Sequence, residues 1–205
     1  DNGDPADPGY NHNLYLGGTS VTLVDCDIFG AITGHNVKSR AHFLMVRNCH
    51  IHGGQNRQMD LVDAWDTEAA NSNVVVIYST IEMNPDASGN RNVIHFGQEK
   101  GKRNGTLFLI DTKIVSPFLT PVFQFDASSG EISLQHSLIE SSYATPHPLA
   151  STANGGALSS IGGFGNSIAK SIDLAGTKLS PATGEEKATP FYIDGDGKRQ
   201  GINGS

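Results

Sequence analysis

Val21-Thr22-Leu23-Val24-Asp25-Cys26-Asp27-Ile28 is the first of five stretches built to one plan. The others are Leu44-Met45-Val46-Arg47-Asn48-Cys49-His50-Ile51, Val74-Val75-Val76-Ile77-Tyr78-Ser79-Thr80-Ile81, Leu107-Phe108-Leu109-Ile110-Asp111-Thr112-Lys113-Ile114 and Ile132-Ser133-Leu134-Gln135-His136-Ser137-Leu138-Ile139. Each reads apolar, any, apolar, a short polar corner, a small residue, any residue, isoleucine. The small slot holds Cys26, Cys49, Ser79, Thr112 and Ser137 in turn. Closing isoleucines follow one another after 23, 30, 33 and 25 residues. A weaker sixth copy is read over residues 172–179, with Thr177 in the small slot. Self-similarity at such a period marks a solenoid. Alternation of apolar residues within each copy is strand spacing, and no stretch carries a capped 3.6-residue stripe. Strands one coil apart, with no helix between them, stack as a parallel β-helix. The expectation is an all-β solenoid of about six coils, roughly 30 Å long at about 4.8 Å per coil.

The rest of the chain fits one domain of that kind. Residues 1–142 read as coils, and residues 143–205, rich in Gly, Ser and Pro, as C-terminal coils and cap of the same domain. Within that part, residues 144–165 read as a long corner or cap. The polar, Pro-rich residues 1–9 read as a linker or an incomplete coil. A chain of 205 residues can bury a substantial core. A net charge of −7 argues against general binding to nucleic acid or membrane surfaces. No apolar run reaches membrane-spanning length, so no membrane insertion is expected. Without a signal peptide, the chain is expected to be a mature form or a fragment. Cys26 and Cys49 share a slot that Ser and Thr fill elsewhere, so both are expected as free thiols.

A second set of strands precedes the first in each coil, over residues 12–18, 35–41, 58–63, 92–97 and 121–126. Leu14, Val37, Met59, Ile94 and Phe123 align as inward, and Leu16, Ser39, Leu61, Phe96 and Phe125 are inward again two residues later. The outward column between them is Tyr15, Lys38, Asp60, His95 and Gln124. One flanking column is Gly17, Arg40, Val62, Gly97 and Asp126; the other is Asn13, Asn36, Gln58, Val93 and Val122. Neighbours in a column stand about 5 Å apart. A phenol, an ammonium, a guanidinium, a carboxylate and an imidazole on one surface make an acid–base inventory. From Ile28 to Met59 there is no Asp or Glu, while Lys38, Arg40, Arg47 and Arg57 fall there with four histidines. Such a cationic island concentrates acidic ligands. Arg47 and Arg57 can equally be solvated corner charges.

The string Gly34-His35-Asn36-Val37-Lys38-Ser39-Arg40-Ala41, taken with His12-Asn13-Leu14-Tyr15-Leu16-Gly17 and His95-Phe96-Gly97-Gln98-Glu99, resembles a series found in secreted bacterial right-handed parallel β-helix proteins. The likeness runs from about Tyr10 to Ser142. It implies a right-handed coil and a secreted or cell-surface location. The ending Ser180-Pro181-Ala182 with Asp194-Gly195-Asp196-Gly197-Lys198-Arg199 is similar to the ends of such proteins. More distantly, Lys38 within Val37-Lys38-Ser39 looks like the lysine of alginate lyases and chondroitinase-B-type lyases. Where those families place an arginine in the next coil, this chain has Arg57, Gln58 and Met59. Acidic calcium ligands are not evident beside the lysine, so no cofactor is expected. In the tail, Lys198 replaces the third acidic ligand of a calcium loop, so a turn is expected there.

Three functions are weighed. The first is β-elimination on an acidic, uronic-acid polysaccharide, which needs a base, a proton donor and a cation against the substrate carboxylate. Catalytic candidates are Lys38, Tyr15, Arg40 and His35, with Asn13, Asn36, Arg57, Asp60, His95 and Glu99 as substrate-binding candidates. Asp60 beside Lys38 favours the ammonium, which makes Tyr15 the better base. The second is glycoside hydrolysis by Asp60 with Asp63 or Glu99. The third is a non-catalytic carbohydrate-binding or self-assembling surface rod, with partners through the solenoid ends. His50-x-His52 would put two imidazoles on one side of a strand, but with no third ligand in sight no metal site is expected.

Overall fold

The computed structural model describes residues 4, 6, 10–97, 99, 101–126, 129–153, 157–175, 177–181, 191–193 and 199–201. Among them the chain is all-β, coiled into a parallel β-solenoid of about five turns. Three strands make each coil, and each stacks in parallel on its counterpart one coil away. The first face carries Leu14–Leu16, Val37–Ser39, Met59–Val62, Ile94–Gly97, Phe123–Asp126 and Ala150–Ala153. The second carries Ser20–Val24, Phe43–Arg47, Val74–Ile77, Gly105–Ile110 and Ser129–Gln135; the third carries Asp27–Phe29, His50–His52, Thr80–Glu82, Lys113–Ser116 and Leu138–Ser141. The twelve-residue strand Ala157–Ile168 runs on past the corner and pairs with both the second and the third faces.

The core is the pair of ladders expected from the apolar alternation. Ile51, Ile81, Ile114 and Ile139 are buried on one wall, and Val37, Met59, Ile94, Phe123, Leu61, Phe96 and Phe125 on another. Phe96 and Phe125 stack with their rings 5.1 Å apart. Leu14 and Leu16, in the first described coil, are only partly buried.

One corner explains the repeated octapeptide. The chain turns from second to third face at Asp25, Asn48, Tyr78, Asp111, His136 and Gly165, all with φ between 45° and 66°. Left-handed backbone costs a non-glycine residue roughly 1–2 kcal/mol, least for Asp and Asn. The following slot residue supplies the compensating bonds. Ser79 Oγ accepts from the Cys49 amide of the preceding coil at 3.0 Å and donates to the Ile77 carbonyl at 2.9 Å. Ser137 Oγ accepts from Thr112 and donates to Gln135 in the same way. Cys26 and Cys49 are free, and burial pushes the Cys49 thiol up to about 11, so it carries its proton at neutral pH.

The sixth copy is misplaced in the sequence reading. Ile168, 29 residues after Ile139, pairs with it as the closing residue. Asn166 fills the small slot, accepting from the Ser137 amide at 2.9 Å. Gly163 stands where the earlier copies carry an apolar residue, which hid the repeat. Leu179 pairs with Gly163 and so belongs to the second face of a further coil. Residues 150–153 and 157–165, read as part of a long corner or cap, lie in strands of the stack. The turn expected at residues 194–198 lies outside the described residues, as do most of residues 1–9.

Candidate functional site

The outward column of the first face has the expected register: Tyr15 pairs with Lys38, Lys38 with Asp60, Asp60 with His95 and His95 with Gln124. Coil stacking therefore sets five reactive side chains in a row. Asp60 is its hub. His95 Nδ1 lies 2.7 Å from Asp60 Oδ1, and Arg57 donates to the same oxygen at 3.3 Å. His35 Nε2 and Lys38 Nζ each lie 3.3 Å from Oδ2. Behind His95, its Nε2 lies 3.2 Å from Asp126 Oδ2, which also accepts from Gln124 at 2.8 Å. Gln124 Oε1 in turn accepts from Arg57 at 2.9 Å.

Burial makes this network costly to leave unpaired and strong when complete. Burial alone pushes the Asp60 carboxyl up, but the His95 hydrogen bond and the charges of His35, His95 and Arg57 outweigh it and hold the carboxyl well below the usual carboxylate range. Desolvation pushes His35 down to about 4, with Asp60 opposing and Arg57, His12 and Lys38 adding to it. His35 is thus neutral at physiological pH, and its charge bears on Asp60 only in acid, below about pH 4. Its ring stacks on His12 at 5.1 Å, and its backbone amide donates to His12 Nδ1 at 3.0 Å. His12, also lowered chiefly by burial, was not among the expected site residues, although it opens the first motif string.

An outer layer covers this hub. Lys38 Nζ donates to Glu99 Oε1 at 3.0 Å, and one Arg40 nitrogen, Nη2, donates to Glu99 Oε2. Arg40 Nε donates to the Tyr15 hydroxyl at 2.7 Å, and its third nitrogen binds the Asp63 carbonyl. The Asp63 carboxylate is spent on the loop: it accepts from the amides of Glu99 and Gly101. Gly97 makes this close return possible, since its φ is 145° and a Cβ there would strike the Asp126 backbone. Tyr15 is the open member, at 60% exposure, and Trp65 stands nearly fully exposed two residues after Asp63.

Several expectations change. Asn36, expected on the outward face, is fully buried, along with Gln58, Val93 and Val122 of the same column. Asn13 donates to Asn36 Oδ1 at 2.8 Å and Asn36 to Gln58 Oε1 at 2.6 Å, while both asparagines also donate to corner carbonyls, of Phe29 and His52. This amide ladder satisfies buried backbone and does not present Asn13 and Asn36 as a substrate-binding pair. The cationic island is neutralised, because later coils bring Asp60 and Glu99 to Lys38, Arg40 and Arg57. Arg57 is half-buried and ion-paired, not a solvated corner, whereas Arg47 is exposed. His35 and His95 lie beneath the surface layer. Arg103, absent from the sequence reading, is fully buried: it donates to the carbonyls of Val62 and Ala41 and lies over the Phe96 ring. Comparison of the chain with protein-family models, with curated proteins and with solved structures found no match.

Proposed function

We propose that the first face binds an acidic, uronic-acid carbohydrate and cleaves it by β-elimination. One observation carries this reading: Lys38 and Arg40 each take one oxygen of a single carboxylate, that of Glu99, next to the Tyr15 hydroxyl. A uronate carboxylate displacing Glu99 would meet the same two cations. They would stabilise the enolate formed when the proton beside that carboxylate leaves. Tyr15, with Arg40 donating to its oxygen, takes that proton. The carbon–oxygen bond to the leaving sugar breaks as the double bond forms, and Tyr15 returns the proton to the departing oxygen. Lys38 Nζ is ion-paired to Asp60 Oδ2 at 3.3 Å, an arrangement that suits charge stabilisation and not proton abstraction. The distant likeness of Val37-Lys38-Ser39 to polysaccharide lyases belongs to this proposal, as does the secreted or cell-surface location that the likeness to secreted bacterial β-helix proteins implies.

A hydrolase reading fares worse. It needs one carboxyl protonated near neutral pH. Asp60 is held ionised, Asp63 binds the loop amides and Glu99 is held by two cations. A non-catalytic carbohydrate-binding role is the second reading, favoured by the exposed rings of Tyr15 and Trp65.

The test incubates the protein with alginate, glucuronan and pectate and follows the absorbance of unsaturated uronate. Expected is turnover that falls about 10²–10⁴-fold in Tyr15→Phe and is abolished in Lys38→Ala. Saturable binding without a chromophore would replace the lyase by the binding reading. Neither binding nor turnover on any acidic polymer would end both.

A further inference from the structure

We propose that Asp27, His50 and His52, on the third face, form a binding site for a divalent transition-metal ion of the zinc class. This site is separate from the acidic-carbohydrate reading and does not rest on it.

The strand His50–His52 turns Ile51 into the core, so the two imidazoles on either side of it project outward together. Register supplies the third donor that the isolated His-x-His pattern lacks: Asp27, one coil earlier, pairs with His50. The Asp27 Oδ1 atom lies 3.0 Å from His52 Nε2 and 3.7 Å from His50 Nδ1. One oxygen and one nitrogen from each histidine all lie within 4.8 Å of one another. Zinc bonds of about 2.0–2.1 Å in a tetrahedron imply ligand-to-ligand edges of about 3.3–3.4 Å. The two carboxylate–imidazole distances fall on either side of that edge.

The surroundings are those of a ligand set. Glu82, on the next coil, lies 3.3 Å from His50 Nε2, the nitrogen that does not face Asp27. A carboxylate on the far nitrogen of a ligating histidine fixes the tautomer and aims the other nitrogen at the metal. His52 is held between the His50 ring, at 4.0 Å, and the Phe29 ring, at 5.3 Å. All three donors are reachable from solvent, so an ion can enter, and three protein ligands leave a fourth position for water. Two nitrogens and one carboxylate oxygen, all within 4.8 Å of one another, suit zinc among the divalent ions.

The experiment uses the full chain, stripped with a chelator and titrated with zinc chloride by calorimetry. Cobalt(II) absorption serves as a second readout that reports tetrahedral geometry. Expected is one saturable ion per chain with tetrahedral cobalt bands. His52→Ala and Asp27→Asn should each weaken zinc by more than the roughly 10–100-fold typical of a supporting partner. Glu82→Gln should weaken it within that range. His136→Gln, a histidine on another part of the stack, should leave it unchanged. These are solvent-facing positions, and circular dichroism checks that each variant is folded. Absence of stoichiometric binding, or binding retained in both His52→Ala and Asp27→Asn, overturns the proposal.

Discussion

Two faces of this solenoid carry the same three residue types, an aspartate with two histidines, and put them to different use. On the first face, Asp60 lies between His35 and His95 and is 3% exposed. On the third, Asp27 lies beside His50 and His52 with a side chain that is 61% exposed. The register that builds both is identical: residues one coil apart become neighbours. Desolvation separates them. Lys38 and Arg57 add two cations to Asp60, so its lone pairs are used up and water is shut out. Among the described residues, Asp27 has imidazoles as its ionic partners and faces open solvent. The buried cluster is consequently a permanently charged hub that positions the Lys38–Tyr15 surface. The open cluster keeps its lone pairs for a ligand from outside.

The sharpest way to break this contrast is to neutralise each aspartate in turn. Asp60→Asn leaves buried Lys38 and half-buried Arg57 facing an amide, and such losses run to about 3–5 kcal/mol. Asp27→Asn removes an exposed charge and should cost no more than about 0.5 kcal/mol. Urea unfolding of the two variants measures both. Equal costs would mean that the first face is not closed as described.

Acid should separate the faces next. His35, held neutral near pKa 4, has an unfolded value of 6.5. The unfolded chain therefore takes up the proton first, and stability falls as pH drops from about 6.5 to about 4. Two and a half units amount to about 3 kcal/mol at most. Asp60, depressed in the folded state, adds a further loss below the ordinary carboxylate range, because its contribution is complete only above the unfolded value. Unfolding curves at stepped pH should show the decline, and His35→Phe should flatten its upper part between about pH 6.5 and 4. A variant as pH-sensitive as the parent would assign the proton elsewhere.

How much of this could be read from the chain depends on whether a residue obeys strict repetition. The isoleucine column and the row Tyr15, Lys38, Asp60, His95 lie on regular strands, so spacing alone aligned them. Asn36 was read outward because alternation was carried one residue too far; at the corner, the buried carbonyls need an amide and the side chain turns in. Glu99 lies past the end of its strand, and no register predicts a loop folding back onto Lys38. Arg103 gave no signal for the same reason. Asp27 was legible but unread: it immediately precedes the closing isoleucine of its coil, as His50 does in the next. The sixth coil was lost because Gly163 and Asn166 replace the apolar and hydroxyl residues that defined the pattern.

A smaller effect sharpens the comparison from the side of burial. If charge and not mere burial makes the Asp60 hub so sensitive, then an equally buried neutral network should be more forgiving. The corner ladder offers one. Ser79 is 1% exposed, and its hydroxyl links the Cys49 amide to the Ile77 carbonyl. Ser79→Ala strands the Cys49 amide, while the Ile77 carbonyl keeps the Asn48 amide, and should cost about 1–3 kcal/mol, less than Asp60→Asn. Ser79→Thr keeps the hydroxyl, and threonine already fills the slot at position 112, so its stability should stay within about 0.5 kcal/mol of the parent. Thermal and urea unfolding of this pair measure the ladder directly. A Ser79→Ala loss as large as that of Asp60→Asn would show that desolvation alone sets the cost, and the distinction between a charged hub and a neutral ladder would fall with it.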